Sequence, residues 1–202
     1  LIPHPTETYT IGSGKGDYEK AHIPGADFLD LQQELSNNTS KLRFTFPSAE
    51  HFSKAIGAHG LSNDNQAILY STTSPQWATR IWWMLRAFGF DNAKVLDGGL
   101  IRWVQKGYPT STIPSTYPEQ SFTAKPRPGL IIQKSEVLEG IHESNTCIIN
   151  ALSQEQHIGV GGRTYGRPGR IKDSENVPTT ELIDPETNEF YPAAVIAERF
   201  AS

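Results

Sequence analysis

Hydrophobic positions in the first half of the chain alternate between short continuous runs and helical spacing. The apolar run at 67–70 predicts a buried strand, and the polar residues 71–77 after it predict a loop. Beyond this loop, apolar side chains recur at the spacing of an amphipathic helix: Ala78, Ile81, Trp82, Leu85 and Phe88. Anions and substrates bind in α/β proteins where a strand runs into a helix N-terminus. We therefore expect any chemistry of the first half to lie in this loop.

Further helices and a second strand complete this pattern. Ser48 is expected to cap a helix that carries its apolar residues on one face: Phe52, Ala55 and Ile56. The run at 94–96 predicts the second strand, and the short helix after it is expected to turn three side chains inward: Leu100, Trp103 and Val104. Because strands and helices alternate at short spacing over residues 1–108, the sequence predicts an α/β fold with a doubly wound, mainly parallel sheet.

The pattern changes between residues 109 and 129, where five prolines occur among serines and threonines. This composition predicts a stiff, extended connector between domains. Beyond it the pattern restarts, with a helix expected from Ser135 and a buried strand at 147–150. The chain therefore divides into three predicted regions: a first domain at 1–110, a linker at 111–132 and a second domain at 133–202.

The two halves can be aligned as a repeat, in which Pro47 matches Pro192. In the first half the strand ends at Ser71, and the same spacing after Pro192 places its counterpart at about residue 216. The printed sequence ends before that position, and we expect 133–202 to be the N-terminal part of a domain truncated before its own active-site loop. Because the sequence starts at Leu1 rather than Met, we also expect its start to have been trimmed.

Composition and charge exclude several classes of function. The chain is 37% hydrophobic and 20% charged, with a net charge of −4 and no long basic run, so we expect neither nucleic acid nor an anionic membrane surface as a partner. No apolar run reaches the ~20 residues of a membrane span. The single cysteine, Cys147, excludes an internal disulfide and a cysteine-rich metal site, and it favours a reducing, cytoplasmic setting.

No cofactor is indicated by the remaining polar motifs. The segment 12–16 is rich in glycine, but Tyr9 and Gly16 occupy two positions that a phosphate-binding loop needs, so a flexible loop is the simpler interpretation. The six histidines show no metal-ligand spacing beside a carboxylate. His22 precedes a Pro-Gly turn and is expected to hydrogen-bond the backbone there. Redox cofactors, metals and nucleotides are therefore not predicted.

Several motifs together resemble one known family. The segment Ala21-His22-Ile23-Pro24-Gly25-Ala26 is similar to the GHIPGA signature of the rhodanese family. The segments 78–89, 95–100 and 107–109 resemble further motifs of that family, in its order and spacing. Residues 133–202 resemble the first half of a second rhodanese domain more weakly. The resemblance implies a rhodanese-like α/β fold and a tandem-domain sulfurtransferase that acts on thiosulfate or 3-mercaptopyruvate.

The resemblance also implies a chemical mechanism. A cysteine at a strand end takes sulfane sulfur as a persulfide and passes it to cyanide or a thiol, while the loop amides and a helix N-terminus stabilise its thiolate. In this sequence Ser71 occupies that cysteine position, and a serine without a base cannot carry a persulfide. The first domain is therefore expected to be a non-catalytic copy, with the nucleophile beyond residue 202. Cys147 is expected to be a buried core residue rather than a nucleophile.

The second half departs from the family pattern at its strand end and loop. Asn150 stands where the family usually has Asp, Leu152 where Arg is common, and Gln156 near a substrate-binding Arg of some members. Arg170 replaces the His of the His-Ile-Pro-Gly motif. The predicted substrate-binding residues are three arginines, for which a solvated loop is the alternative interpretation: Arg163, Arg167 and Arg170.

Three functions stay open from the sequence. The first is a sulfurtransferase whose partners are a small anionic sulfur compound and a thiol acceptor, either thioredoxin-like or glutathione. The second is a catalytically inactive rhodanese module used for binding or regulation, which Ser71 favours. The third is a phosphatase of the related fold, which would also need a cysteine. The sequence leaves a homodimer open.

Overall fold

The computed structural model describes residues 12–161 and 167–201. It divides the chain into two compact units, of which one is Gly12–Leu130 and the other contains Ile131–Ser202. We call them the first and the second unit and describe each by itself. The first unit reaches Leu130, so most of the predicted linker 111–132 belongs to it.

The first unit alternates helices and strands, as the sequence predicts. Its elements are α1 (Lys15–Lys20), α2 (Ala49–Ala58), β1 (Ala67–Leu69), α3 (Gln76–Ala87), β2 (Ala93–Val95) and α4 (Gly99–Gln105). Strands β1 and β2 pair in parallel, with Ala67 opposite Ala93 and Leu69 opposite Val95. The expected α/β class and parallel pairing are confirmed.

Helix α2 forms where a cap and an apolar face coincide. The Ser48 hydroxyl accepts a hydrogen bond from the His51 backbone N–H at 3.1 Å, which satisfies one of the free amides of the first turn. Phe52 and Ile56 are four residues apart on the helix and both are buried. The predicted cap and inner face of this helix are therefore confirmed.

The core of the first unit is built from α2, α3, β2 and the chain around them. The Phe52 and Phe88 rings stack with their centroids 4.4 Å apart. Phe122, from the proline-rich segment, packs edge-on against Phe52. The buried cluster contains these residues: Leu35, Phe52, Ile56, Met84, Leu85, Phe88, Phe90, Ala93 and Phe122. Burial of each large side chain contributes about 1.5–3 kcal/mol.

The proline-rich segment (residues 109–128) is packed along the first unit. Its Gln120 N–H donates to the Gly57 carbonyl at 2.9 Å, and its Lys125 N–H donates to the Phe88 carbonyl at 2.8 Å. A Cβ atom on Gly57 would lie 2.4 Å from the Gln120 carbonyl oxygen, so only glycine admits this approach. The segment is extended, as predicted, and these two hydrogen bonds join it to the C-terminal ends of α2 and α3.

The second unit contains shorter elements. They are α5 (Lys134–Gly140), β3 (Ile149–Asn150), α6 (Gln154–Ile158), β4 (Glu175–Asn176), a 3₁₀ helix (Thr179–Leu182) and α7 (Ala193–Phe200). Strands β3 and β4 pair in parallel, with Ile149 opposite Glu175. The helix predicted from Ser135 is confirmed as α5.

Several expectations of the sequence analysis are wrong. The strands expected to be buried are not, since Ile68 of β1 is 64% exposed and Ile149 of β3 is 45% exposed. Cys147 is exposed rather than buried, because β3 begins only at Ile149 and leaves the thiol on the connection before it. Val104 is 53% exposed rather than inward, since it lies in the last turn of the seven-residue α4. Lys15 and Gly16 are helical rather than in a flexible loop, because α1 starts at that point.

Membrane insertion through a helix is not seen in the described part of the chain. No helix there combines the length and the apolar composition that a bilayer requires.

Candidate active site

The loop after β1 is fixed against the start of α4. The Leu96 N–H donates to the Leu69 carbonyl at 2.8 Å, and the Leu100 N–H donates to the Ser71 carbonyl at 3.1 Å. The first bond continues the parallel pairing of β1 and β2 by one residue, and the second joins the loop to the first turn of α4. Residues 71–75 therefore lie at the carboxyl edge of the sheet, where the sequence predicts the chemistry of the first half.

The Ser71 side chain stabilises its own loop. Its hydroxyl donates to the Ser74 carbonyl at 2.7 Å, which closes a tight turn ahead of α3. Within residues 12–161 and 167–201, no basic side chain contacts this hydroxyl. An alcohol needs an adjacent base to act as a nucleophile. The geometry of the described residues therefore gives Ser71 a structural role.

An arginine that the sequence analysis did not single out lies on the first turns of α3. The Arg80 Nη2 donates to the Phe44 carbonyl at 3.0 Å, and its guanidinium lies 5.4 Å from the centre of the Phe46 ring. Its Nε is buried without a hydrogen-bond partner, and burial lowers the pKa of the group. Phe44 has a left-handed φ of 56° and packs against Trp77, 5.7 Å between ring centroids. Arg80 thus ties α3 to the chain ahead of α2.

The corresponding strand end of the second unit is organised by two asparagines. The Asn150 Oδ1 accepts the Leu152 N–H at 2.9 Å. The Asn176 Nδ2 donates to the carbonyls of Asn150 and Leu152, at 2.8 and 2.9 Å. Asn150 therefore shapes the turn after β3 through its amide oxygen. An aspartate could accept the same bond, so the departure from the family pattern keeps the local geometry.

The next two departures remove charge from this strand end. Leu152 is 41% exposed and carries no polar group. Gln156 belongs to a capping box at the start of α6, in which its N–H donates to the Ser153 hydroxyl and its Oε1 accepts the Ser153 N–H, both at 3.4 Å. These positions therefore supply hydrophobic surface and a helix cap rather than cationic side chains.

Of the three predicted substrate-binding arginines, two can be located. Arg167 and Arg170 are exposed, and neither forms a salt bridge with another described residue. Arg163 lies outside the described residues. The structure places Arg170 close enough to His157 for its charge to act on that ring, and no contact between described residues brings Arg167 and Arg170 together.

His157 is a buried polar residue that the sequence analysis did not identify. It is 8% exposed, and its Nδ1 has no hydrogen-bond partner. Burial lowers the pKa of His157, and the charge of Arg170 lowers it further while Glu175 opposes the shift. Its place next to the Ser153–Gln156 cap indicates a helix, but nothing in the sequence indicates burial.

Comparisons with known proteins find a family match and several similar enzymes. Residues 13–106 match the family described as Rhodanese-like domain. Thiosulfate sulfurtransferase of Rattus norvegicus is 30% identical over 176 residues, which are 83% of this chain and 58% of that protein. The 3-mercaptopyruvate sulfurtransferase of the same organism is 32% identical over 183 residues, 89% of this chain and 61% of that protein. The chain belongs to the rhodanese family.

Solved structures of the rhodanese fold also resemble this chain. The 3-mercaptopyruvate enzyme SseA from Escherichia coli has a TM-score of 0.81 at 29% identity, over 100% of this chain and 74% of that one. Tum1 from Saccharomyces cerevisiae, at 19% identity, supports the fold alone, with a TM-score of 0.84 over 96% of this chain and 70% of that one. The chain spans about three fifths of the length of the two rat relatives.

Proposed function

We propose that this chain is part of a sulfurtransferase that moves sulfane sulfur from thiosulfate or 3-mercaptopyruvate to a thiol or cyanide. The observation that carries the proposal is the rhodanese-like match over residues 13–106, together with sulfurtransferases at 30% and 32% identity. The first unit is then the non-catalytic copy, because Ser71 stands at the cysteine position and its hydroxyl bonds Ser74. Residues 133–202 are the N-terminal part of a second, catalytic rhodanese domain.

The chemistry takes place in two steps at a cysteine expected at about residue 216 by the repeat. The thiolate attacks the outer sulfur of thiosulfate, the S–S bond breaks, and sulfite leaves with the bonding electrons. The cysteine is then a persulfide. In the second step an acceptor thiolate or cyanide attacks the outer persulfide sulfur, and the cysteine thiolate leaves.

The proposed partners follow from this chemistry. The donor is a small anion, and Arg167 and Arg170 are exposed cations in the second unit that can attract it. Arg163, outside the described residues, is the third proposed contact. The acceptor is a thioredoxin-like protein or glutathione in a cytoplasmic setting, and a homodimer is the proposed assembly.

The test uses the full-length protein with thiosulfate and cyanide, and it measures thiocyanate. We expect thiocyanate from the wild type, equal activity of Ser71→Ala and Cys147→Ser, and loss when the cysteine near the expected position is replaced. After thiosulfate alone, mass spectrometry should find one added sulfur atom on that cysteine. Loss of activity in Cys147→Ser would contradict the proposal, since it would place the chemistry on the exposed thiol.

A catalytically inactive rhodanese module is the second candidate. The loss of cationic side chains at Leu152 and Gln156 favours it, because an anionic donor then has fewer contacts near the strand end. A full-length protein that forms neither thiocyanate from thiosulfate nor pyruvate from 3-mercaptopyruvate would support this alternative and contradict the enzyme.

A further inference from the structure

A histidine at the end of α2 lies between two carboxylates of a distant segment. The His59 Nδ1 is 2.7 Å from the Asp27 Oδ2, and its Nε2 is 2.8 Å from the Glu34 Oε1. His59 is the C-cap residue of α2. Asp27 and Glu34 belong to the segment 27–36, which follows the turn after His22 and contributes the buried Leu35 to the core. The three side chains are partly buried.

The hydrogen-bond geometry determines the charge state that fits. An ionised carboxylate only accepts hydrogen bonds, and a neutral imidazole has a single N–H. Both contacts of His59 can therefore be hydrogen bonds only when both ring nitrogens carry a proton. After loss of one proton, a nitrogen lone pair would face a carboxylate oxygen, and that contact would become repulsive.

The two carboxylates also hold the backbone of their own segment. In each carboxylate, the oxygen that does not contact His59 accepts a backbone N–H. Glu34 Oε2 accepts the Asp30 N–H at 2.8 Å, and Asp27 Oδ1 accepts the Phe28 N–H at 2.7 Å. A change in the position of either carboxylate therefore alters the protection of these two amides. His59 is in this way connected to the backbone of the segment.

We propose that His59, Asp27 and Glu34 form a proton-dependent clamp, which holds the segment 27–36 against α2 while both ring nitrogens are protonated and loosens it when one proton leaves. The clamp is independent of the proposed function. The pKa of His59 is raised to about 9, chiefly by the Glu34 hydrogen bond and also by Asp27, while burial opposes the rise. The clamp is therefore closed at neutral pH and opens on the alkaline side.

The effects of other ionisable groups near the clamp have to be distinguished from the effect of His59. Asp30 lies beside Glu34 and tends to raise the pKa of that carboxyl. His51, also from α2, has its Nε2 2.7 Å from the Glu34 backbone carbonyl. From the proline-rich segment, Tyr117 packs beside Gly60 and donates its hydroxyl to the Gly25 carbonyl. His51 and Tyr117 approach backbone carbonyls rather than the carboxylates, so they serve as controls.

The first measurement is side-chain nitrogen NMR of the histidine-labelled 202-residue chain. We expect both ring nitrogens of His59 to be protonated at pH 7.5 and to lose one proton at about pH 9. A His59 ring with a single protonated nitrogen at pH 7.5 would overturn the proposal.

The second measurement is amide hydrogen exchange, expressed as protection relative to the intrinsic rate at each pH. With a pKa of about 9, roughly half of the His59 rings are protonated at pH 9 and about a tenth at pH 10. We therefore expect the protection of the Phe28 and Asp30 amides to fall about fivefold between these pH values, while the Phe52 amide in α2 keeps its protection. Unchanged protection of Phe28 and Asp30 through the His59 titration would overturn the release step.

Matched variants assign the effect to one ring. In His59→Gln the two amides should be less protected at pH 7.5 and should show no further fall on the alkaline side. In His51→Gln and Tyr117→Phe the fall should stay at the wild-type pH. If the protection of the two amides in His59→Gln fell with pH as it does in the wild type, another group would cause the transition and the clamp would be contradicted.

Discussion

A Cβ atom on Gly99 would lie 2.6 Å from the carbonyl oxygen of Ser71. Gly99 also has a left-handed φ of 54°, which side chains other than glycine rarely adopt. The start of α4 and the loop after β1 can therefore approach each other only if residue 99 is glycine. The same approach allows the Leu100 N–H to donate to the Ser71 carbonyl.

We predict that Gly99→Ala destabilises the first unit by about 2–4 kcal/mol, from backbone strain of ~1 kcal/mol or more and from the backbone contact that must open. Urea unfolding measures the change. Gly107→Ala is the matched control, because Gly107 has a φ of 74° but open space around its Cβ position. Gly107→Ala should lower the free energy of unfolding by only about 1 kcal/mol. Equal losses in the two variants would show that the Ser71 contact does not matter.

Signals that act over a few residues made much of the first unit predictable. The Ser48 cap lies next to the helix that it starts, and the apolar spacing of α2 and α3 is read within each helix. The strand–loop–helix order located residues 71–75 correctly. Family motifs over the same region predicted the fold, and the similarity to sulfurtransferases confirmed it.

Contacts between distant residues were not predictable in the same way. The proline-rich segment reads as a linker, since its composition does not reveal that Phe122 packs on Phe52. The partners of His59 lie 32 and 25 residues away, at no periodic spacing. For the candidate site, Ser71 could be identified from the motif, whereas the partners of Arg80 and the burial of His157 depend on tertiary packing.

The ring of His22 joins the start of the first unit to the proline-rich segment. Its Nδ1 lies 2.7 Å from the Tyr18 carbonyl and its Nε2 3.0 Å from the Ile113 carbonyl, and the side chain is fully buried. The backbones of His22 and Ser111 exchange two hydrogen bonds. The expectation that His22 hydrogen-bonds the backbone is confirmed.

We predict that His22→Ala lowers the free energy of unfolding by about 3 kcal/mol, because it leaves a cavity under Tyr18 and removes the ring contacts to two carbonyls. Exchange of the Ser111 amide should rise more than exchange of the Lys125 amide, which lies farther along the same segment. Tyr18→Phe is the comparison variant, since it keeps the ring that stacks on His22 at 4.0 Å and removes only the hydroxyl, which accepts the Ser115 N–H and donates to the Ala26 carbonyl. A uniform rise of exchange along the segment would contradict a local anchor at His22.

The charged cluster at His59 predicts a defined pH dependence of stability. The pKa of His59 is raised from 6.5 to about 9, so its contribution is complete below pH 6.5 and is lost as the pH rises through 9. The His59 hydrogen bond lowers the pKa of Glu34 below 4.5, so that contribution is present above pH 4.5 and is lost at lower pH. Both contributions are complete together between about pH 4.5 and 6.5.

We therefore expect the stability difference between the wild type and His59→Gln to be largest in this window and to decrease on both sides. Urea unfolding between pH 4 and 10 gives the difference at each pH. His51→Gln is the control, and it should keep the same loss of stability through pH 9 that the wild type shows. A wild-type advantage over His59→Gln that grows above pH 8 would have the wrong sign for a raised pKa.

The last prediction concerns the reactivity of Cys147, the single cysteine of the sequence, which is exposed. The residue precedes β3 on an exposed connection, and β3 has only two residues, so no sheet covers the side chain. We expect an aromatic disulfide reagent to modify one thiol per native chain, at a rate within about tenfold of the urea-unfolded chain. A thiol blocked until the chain unfolds would contradict this exposure. In the full-length protein we expect Cys147→Ser to form thiocyanate at the wild-type rate. Loss of thiocyanate formation in Cys147→Ser would instead identify Cys147 as the sulfur carrier.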